Sequence, residues 1–276
     1  MEVKDKNLPP WLDSSHPNFK RWERGRSLAL ERGNFVKSVI ELYKNCNNLI
    51  ILDLGSGEGG TAKVLSKNNL VVSFDLSITR LERQKDSGAY YQLVNGDALK
   101  MPFAKNQFDL IIIQDVIEHL TEVQTFISNT KEILRDNGII YLSTPNKFSI
   151  INCLSDPHWG MPVISMLKRE SIRKYFLNVF RKKEAGRKDI AQLLSLNELE
   201  KYFRRDFEIY INTSYTVKRL FEGDKGIIWS EFHLRILRLM KLLKIENVIL
   251  KLSNDNPGFL NRFLTPSFYL ILKKQQ

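Results

Sequence analysis

Asp115-Val116-Ile117-Glu118-His119 sets two carboxylates and an imidazole at i, i+3 and i+4. On a helix those three side chains share one face. Such a set can hold a divalent cation or move a proton, although Asp115 and Glu118 equally suit a helix capping box. A second imidazole, His158, stands in Asp156-Pro157-His158-Trp159. It is a candidate general base, or a lid histidine held by packing beside Trp159. The other chemistry-bearing stretch is Gly55-Ser56-Gly57-Glu58-Gly59-Gly60, where glycine lets a ligand approach the backbone closely. Gly55, Gly57 and Gly60 match the G-x-G-x-x-G fingerprint of dinucleotide sites. Three carboxylates sharpen that signal: Asp53 just before the loop, Asp75 twenty residues after Gly55, and Asp97 in Asn95-Gly96-Asp97-Ala98. Asp75 is placed to accept two ribose hydroxyls and Asp97 an adenine amino group.

These residues need elements to position them, and the hydrophobic pattern supplies those elements. Apolar runs at 49–54, 70–74, 90–94, 108–113 and 139–143 read as strands. They alternate with helices near 61–65, 77–86 and 122–134, the last stopped by Asp136-Asn137-Gly138. An N-terminal helix is expected over 19–45. Strands alternating with amphipathic helices predict a parallel sheet covered on both faces. Asp53, Asp75, Asp97 and Gln114 then fall at successive strand ends, the ligand crevice of such a sheet. Past Pro145 the rhythm breaks. A covering helix at 196–203 with Asn197 as cap, strands at 207–215 and 268–272, and a helical insert near 217–262 complete the pattern.

With 43% apolar and 26% charged residues, nine prolines and fourteen glycines, the chain is neither disordered nor collagen-like. Its longest apolar runs, such as Leu110–Ile113, fall far short of the roughly 20 residues of a spanning helix. The charged start Met1–Lys6 does not read as a signal peptide. Cys46 and Cys153 have no metal-type spacing and suggest free thiols in a reducing compartment, so a cytoplasmic location is expected. Residues 1–145 carry 18 basic and 18 acidic side chains, whereas residues 146–276 carry 24 and 13, the whole net excess of +11. The basic half suits an anionic partner or simply a solvated face, with Arg181-Lys182-Lys183 and Arg187-Lys188 as its clusters.

Residues 49–146 resemble the class I S-adenosylmethionine-dependent methyltransferases continuously, with weaker echoes at 196–215 and 266–273. Ile51-Leu52-Asp53-Leu54-Gly55-Ser56-Gly57-Glu58-Gly59 looks like their first motif. Phe74-Asp75-Leu76-Ser77 looks like the ribose-binding strand end, and Gly96-Asp97-Ala98 with Met101-Pro102-Phe103 like the adenine side. The resemblance implies a Rossmann-like α/β fold: a mostly parallel sheet with helices on both faces, a C-terminal antiparallel strand, and helical lid inserts. It divides one domain, 1–276, into an N-terminal helical segment (1–47), a cofactor-binding core (48–146), a lid or substrate insert (147–195), the rest of the core (196–216 and 266–274) and a second helical insert (217–265). S-adenosylmethionine is the implied cofactor. Asp53 and Gly55, Ser56, Gly57 and Gly59 would border its methionine, Asp75 and Leu76 its ribose, and Asp97 and Ala98 its adenine. Gln114 would lie beside the amino group and sulfonium.

Metal-assisted O-methyltransferases of the ubiquinone-pathway and small-RNA types carry a similar acidic-x-x-Glu-His motif and a later histidine. By that resemblance Asp115, Glu118, His119 and His158 are candidate ligands, for example of Mg²⁺, with Asp115 one carbon shorter than the relatives' Glu. His119 and His158 are the catalytic candidates, and the expected acceptor is a hydroxyl of a small molecule, sugar or lipid-linked compound. Gln114-Asp115-Val116-Ile117 lacks the Asn/Asp-Pro-Pro-aromatic run of base-amino enzymes, and sparse aromatics among the basic clusters give little support for base stacking. Nucleic acid is not favoured.

Between Trp229 and Leu252, Phe232, Ile236, Leu239, Met240 and Leu243 share one helical side, with Arg235, Arg238 and Lys241 opposite. Such a helix packs on its own domain or lies on an anionic membrane surface, and with the Asp-Pro-His-Trp insert it resembles enzymes of bacterial glycan and lipid pathways. Two other functions suit the glycine loop: a nicotinamide-dependent oxidoreductase, which a Tyr-x-x-x-Lys pair would support and the segment after the fourth strand lacks, and a non-catalytic adenosyl-cofactor-binding subunit. The sequence leaves the oligomeric state open.

Overall fold

Apolar residues at both odd and even positions give each central strand two faces to bury. A computed structural model of the chain describes residues 10–275 apart from 17, 185, 188 and 228–230, and omits the side chains of 10, 21, 183 and 231–233. The expectations for Met1–Lys6, Lys188, Trp229 and the side chains of Lys183 and Phe232 therefore lie outside the described residues.

Seven strands form one sheet: β1 (Ile50–Leu54), β2 (Leu70–Asp75), β3 (Gln92–Asn95), β4 (Phe108–Gln114), β5 (Leu134–Pro145), β6 (Phe207–Ile211) and β7 (Ser267–Lys274). Their order is β3-β2-β1-β4-β5-β7-β6. β1 to β5 run parallel, and β7 is antiparallel to both β5 and β6. This is the mostly parallel sheet with an antiparallel strand that the resemblance implies.

Ile51, Val71, Leu110, Ile112 and Tyr141 face α2 (Ala29–Ile40) and α3 (Gly60–Leu65), packing with Phe35, Val36, Val39 and Leu65. Leu52, Leu54, Ile111, Ile113 and Leu142 face the opposite way, onto Phe126 and Ile127 of α5 (Val123–Ile133) and Leu199 and Phe203. α1 (Phe19–Ser27) precedes α2, and α4 (Ile78–Asp86) follows β2. After β5 come α6 (Ile150–Leu154), irregular helical turns, α7 (Leu196–Phe203), α8 (Thr213–Phe221), α9 (Glu231–Leu242) and α10 (Glu246–Leu252). The 147–195 region has a small core of its own, in which Trp159 packs with Ile164, Ile172, Phe176, Leu177 and Ile190.

Four details depart from the pattern reading. The helix expected over 19–45 breaks at Leu28 into α1 and α2, because α2 is pressed against α3. A Cβ on Gly60 would stand 2.1 Å from the Ala29 carbonyl oxygen, and one on Gly33 would stand 2.7 Å from that of Gly60. Asp136-Asn137-Gly138 does not stop α5, since Leu134 already pairs with Phe108 and the triplet lies within β5, beside a register shift. Ser195, not Asn197, caps α7, through a reciprocal box with Glu198. Finally, β6 ends at Ile211, because Asn212 accepts from Thr216 N–H through its carbonyl and starts α8.

Candidate active site

The chain runs from β1 outward to β2 and β3, then crosses back to β4, so the carboxyl ends of β1 and β4 flank a topological switch point. Open α/β sheets bind ligands in that crevice, and here it holds a cavity of about 340 Å³.

One wall is the glycine loop. Gly55, Gly57 and Gly59 adopt φ of +71°, +54° and +72°, a region that costs a side chain free energy. Asp75 Oδ2 accepts from Gly57 N–H at 2.9 Å and Oδ1 from Ser77 N–H at 2.8 Å, with Arg80 3.8 Å away. Arg80 also lies over the Trp11 ring, 4.9 Å from its centroid. Gln84 donates to Gly57 O at 2.8 Å and to Ser56 Oγ at 3.0 Å, and accepts from Ser73 Oγ at 2.8 Å. The loop is thus held by backbone geometry and a buried amide. Asp53 accepts from Ala62 N–H at 3.1 Å, and burial, with Asp75 nearby, pushes its carboxyl up to about 7.

Gly55, Ser56, Gly57 and Gln114 line the cavity, Gln114 accepting from Thr61 Oγ1 at 3.1 Å. The Ser56 hydroxyl is engaged by Ser73 and Gln84 behind the loop. Asp53, Gly59, Asp75, Leu76, Asp97 and Ala98 are not among the residues that line the cavity; Asp75 ends β2, and Asp97 and Ala98 follow β3. Leu76 is exposed, and Asp97 accepts from Leu99 N–H at 2.9 Å in a turn.

The other wall comes from the turn after β4. Asp115 takes φ +54°, so the segment leaves the strand sharply and resumes only as a short 3-10 turn, Ile117–His119. The helical face expected for Asp115, Glu118 and His119 therefore does not form, nor does the capping box. Asp115 pairs with Arg32 of α2, Oδ2 to Nη2 at 2.8 Å. Glu118, His119 and His158 come together without it, with one potential ligand atom from each within 4.8 Å of the others.

Glu118 is buried. Its Oε2 accepts from Thr144 Oγ1 at 2.9 Å, while Oε1 has no hydrogen-bond partner among the described residues and lies 3.9 Å from His158 Nε2. Burial, helped by the Asp115 charge, pushes its carboxyl up to about 8. Burial holds the His119 imidazole below its usual range, which favours the neutral ring. Its Nδ1 lies 3.1 Å from the Asp189 carbonyl oxygen, and donation there leaves Nε2 a free lone pair. His158 is fixed from both sides: the Asp156 carboxylate accepts from the His158 and Trp159 N–H groups at 2.7 and 2.8 Å, and Trp159 is anchored in the insert core. The two imidazole rings meet edge to face at 5.3 Å. A carboxylate and two imidazoles, one held by a backbone carbonyl, fit a divalent cation.

Sequence reasoning missed Arg32, Arg80, Gln84 and Asp189. Gln84 left a trace, since it sits three residues after the buried Leu81 and so on the apolar face of α4. Arg32 and Asp189 left none, because their partners are 83 and 70 residues away.

Residues 52–142 match the family described as methyltransferase domain. A ubiquinone biosynthesis O-methyltransferase from Bartonella quintana is 32% identical over 124 residues, covering 42% of this chain and 47% of the relative. The chain thus spans about half the length of the curated relatives it matches. Among solved structures, an S-adenosylmethionine-dependent methyltransferase from Mesorhizobium loti superposes with a TM-score of 0.54 at 13% identity, covering 86% of this chain and 96% of that one. The plantazolicin methyltransferase, solved with S-adenosylhomocysteine, gives 0.52 at 14% identity over 94% and 88%. These two likenesses bear on the fold. Over residues 52–142, therefore, the chain is similar in sequence to the methyltransferase domain family, and its fold is that of S-adenosylmethionine-dependent methyltransferases.

Proposed function

We propose that the chain transfers a methyl group from S-adenosylmethionine to a hydroxyl of a small-molecule, sugar or lipid-linked acceptor. One observation carries this reading: the glycine loop and Gln114 share a cavity with His119 and His158, so a donor bound along the strand ends would face a basic, proton-accepting wall. The O-methyltransferase names of the sequence relatives support a hydroxyl acceptor.

Methyl transfer from a sulfonium is an in-line displacement in which alignment contributes roughly 7–11 kcal/mol. A hydroxyl must also give up its proton. The neutral His119 imidazole, or His158, would take it. Alternatively, with their nitrogens serving as ligands rather than as bases, His119 and His158 would hold a divalent cation together with Glu118, and Asp115 would contribute its charge from outside the cluster. When bound, such an ion lowers the pKa of a coordinated hydroxyl. Two nitrogen donors suit zinc or iron better than Mg²⁺, which prefers oxygen ligands. Loading would displace the proton that burial keeps on Glu118.

The test is calorimetric titration with S-adenosylmethionine, S-adenosylhomocysteine and NAD, repeated with Asp75→Ala. Binding of both adenosyl ligands, weakened by the substitution, is expected. Binding of NAD alone, or of no ligand, overturns the reading. Retention of a cellular function by His158→Ala would favour the non-catalytic cofactor-binding subunit.

A further inference from the structure

A second large cavity, about 420 Å³, lies away from the strand-end crevice, between β7 and the α8–α10 insert. Val217 and Leu220 of α8, Ile236 and Met240 of α9 and Ile249 of α10 wall it, over Tyr269 of β7. No Lys, Arg, His, Asp or Glu is among the described residues that line it. Protein interiors keep few voids larger than one water, whose share of liquid volume is roughly 30 Å³, and apolar cavities stay dry and take up apolar ligands. A space of this size and lining lies within the roughly 300–1,000 Å³ range of ligand sites.

The cavity is not sealed. Ile150, Leu252 and Leu264 line it and are nevertheless exposed, by 51%, 62% and 42%, which marks an apolar mouth. Lys251, next to Leu252, is exposed, as are Arg235, Arg238, Lys241 and Lys244 along α9 and after it. The apolar side expected for the 229–252 helix is divided by this arrangement. Ile236 and Met240 turn inward to the cavity, while Leu239 and Leu243 stand exposed among the basic side chains.

An apolar chamber behind an apolar mouth, with cationic side chains on the same insert, complements a molecule that has a hydrocarbon tail and an anionic head. We infer that the space between β7 and the α8–α10 insert binds the long hydrocarbon chain of an anionic amphiphile such as a fatty acid. The site is separate from the crevice proposed for methyl transfer and does not depend on that reading.

The test is fluorescence titration of the full chain with cis-parinaric acid below its micelle-forming concentration. Saturable binding at one site per chain is expected, displaced by oleate and not by octanoate at equal concentration. Val217→Trp and, more conservatively, Ile249→Phe fill the chamber and should each weaken binding about tenfold or more. Circular dichroism and the urea unfolding midpoint identify any variant that fails to fold. Lack of saturable binding, equal competition by octanoate, or affinity unchanged in both folded variants overturns the inference.

Discussion

The two walls of the crevice are built on opposite plans. On the glycine-loop side nearly every polar group is already engaged. Asp75 caps two backbone N–H groups, Gln84 spans Gly57, Ser56 and Ser73, and Asp53 holds the start of α3. On the histidine side a buried carboxylate keeps Oε1 without a hydrogen bond among the described residues, facing two imidazoles. The first wall is organised to present backbone to a ligand. The second keeps acid–base and ligating capacity in reserve. Pre-organised backbone resists change in shape, whereas reserved side chains resist change in chemistry, so substitutions on the two walls should fail differently.

The largest effect is expected on the histidine side. His158→Ala removes one of three clustered donors, and Zn²⁺ affinity measured by calorimetry should fall about 100-fold, while the dissociation constant for S-adenosylmethionine stays within about twofold. Parallel loss of both affinities would mean that the two walls are not separable.

On the glycine side the leading failure should be structural. Gly60→Ala drives a methyl group into the Ala29 carbonyl, a backbone contact at 2.1 Å, and should cost about 1–3 kcal/mol in urea unfolding. Stability unchanged by this substitution would show that α2 can slide on α3, and that the loop is less tightly framed than its contacts imply. Asp75→Ala leaves the Gly57 and Ser77 N–H groups without their acceptor and removes the carboxylate proposed for the ribose. Adenosyl-ligand affinity should drop about tenfold with Zn²⁺ affinity unchanged.

The same contrast explains what the sequence disclosed. Gly55–Gly60 and Asp53 act within a dozen residues of one another, so strand periodicity placed them without knowledge of the rest of the chain. Glu118, His119 and His158 were legible as residue types, but their geometry was not. A helix would have added Asp115 to the group, and the positive φ at Asp115 sends it instead to Arg32. That turn is set by tertiary contacts, with Asp115 N–H donating to Ser143 O at 2.9 Å and Val116 lying against Gly55. No local pattern encodes them. The insert that carries His158 was legible only as a break in rhythm, since its core joins Trp159 to Ile190, thirty-one residues on.

Asp53 offers the smallest and most discriminating probe, because it separates charge from shape on the pre-organised wall. Its carboxyl, held at about 7 by burial, keeps a proton that the unfolded chain releases near the ordinary carboxylate range. Between about pH 4 and pH 7 the native state thus binds more protons than the unfolded one, so this group makes stability fall as pH rises through that window. Asp53→Asn retains an acceptor for Ala62 N–H and cannot ionise. Urea midpoints of the two proteins should agree near pH 4 and diverge toward pH 8, with the Asn variant the more stable. If the loop is held by shape, the variant should also keep its glycine geometry and bind S-adenosylhomocysteine within a few-fold of the parent. A collapse of binding despite the gain in stability would instead make the Asp53 charge part of the ligand site, and the two walls would then differ less than their hydrogen bonding indicates.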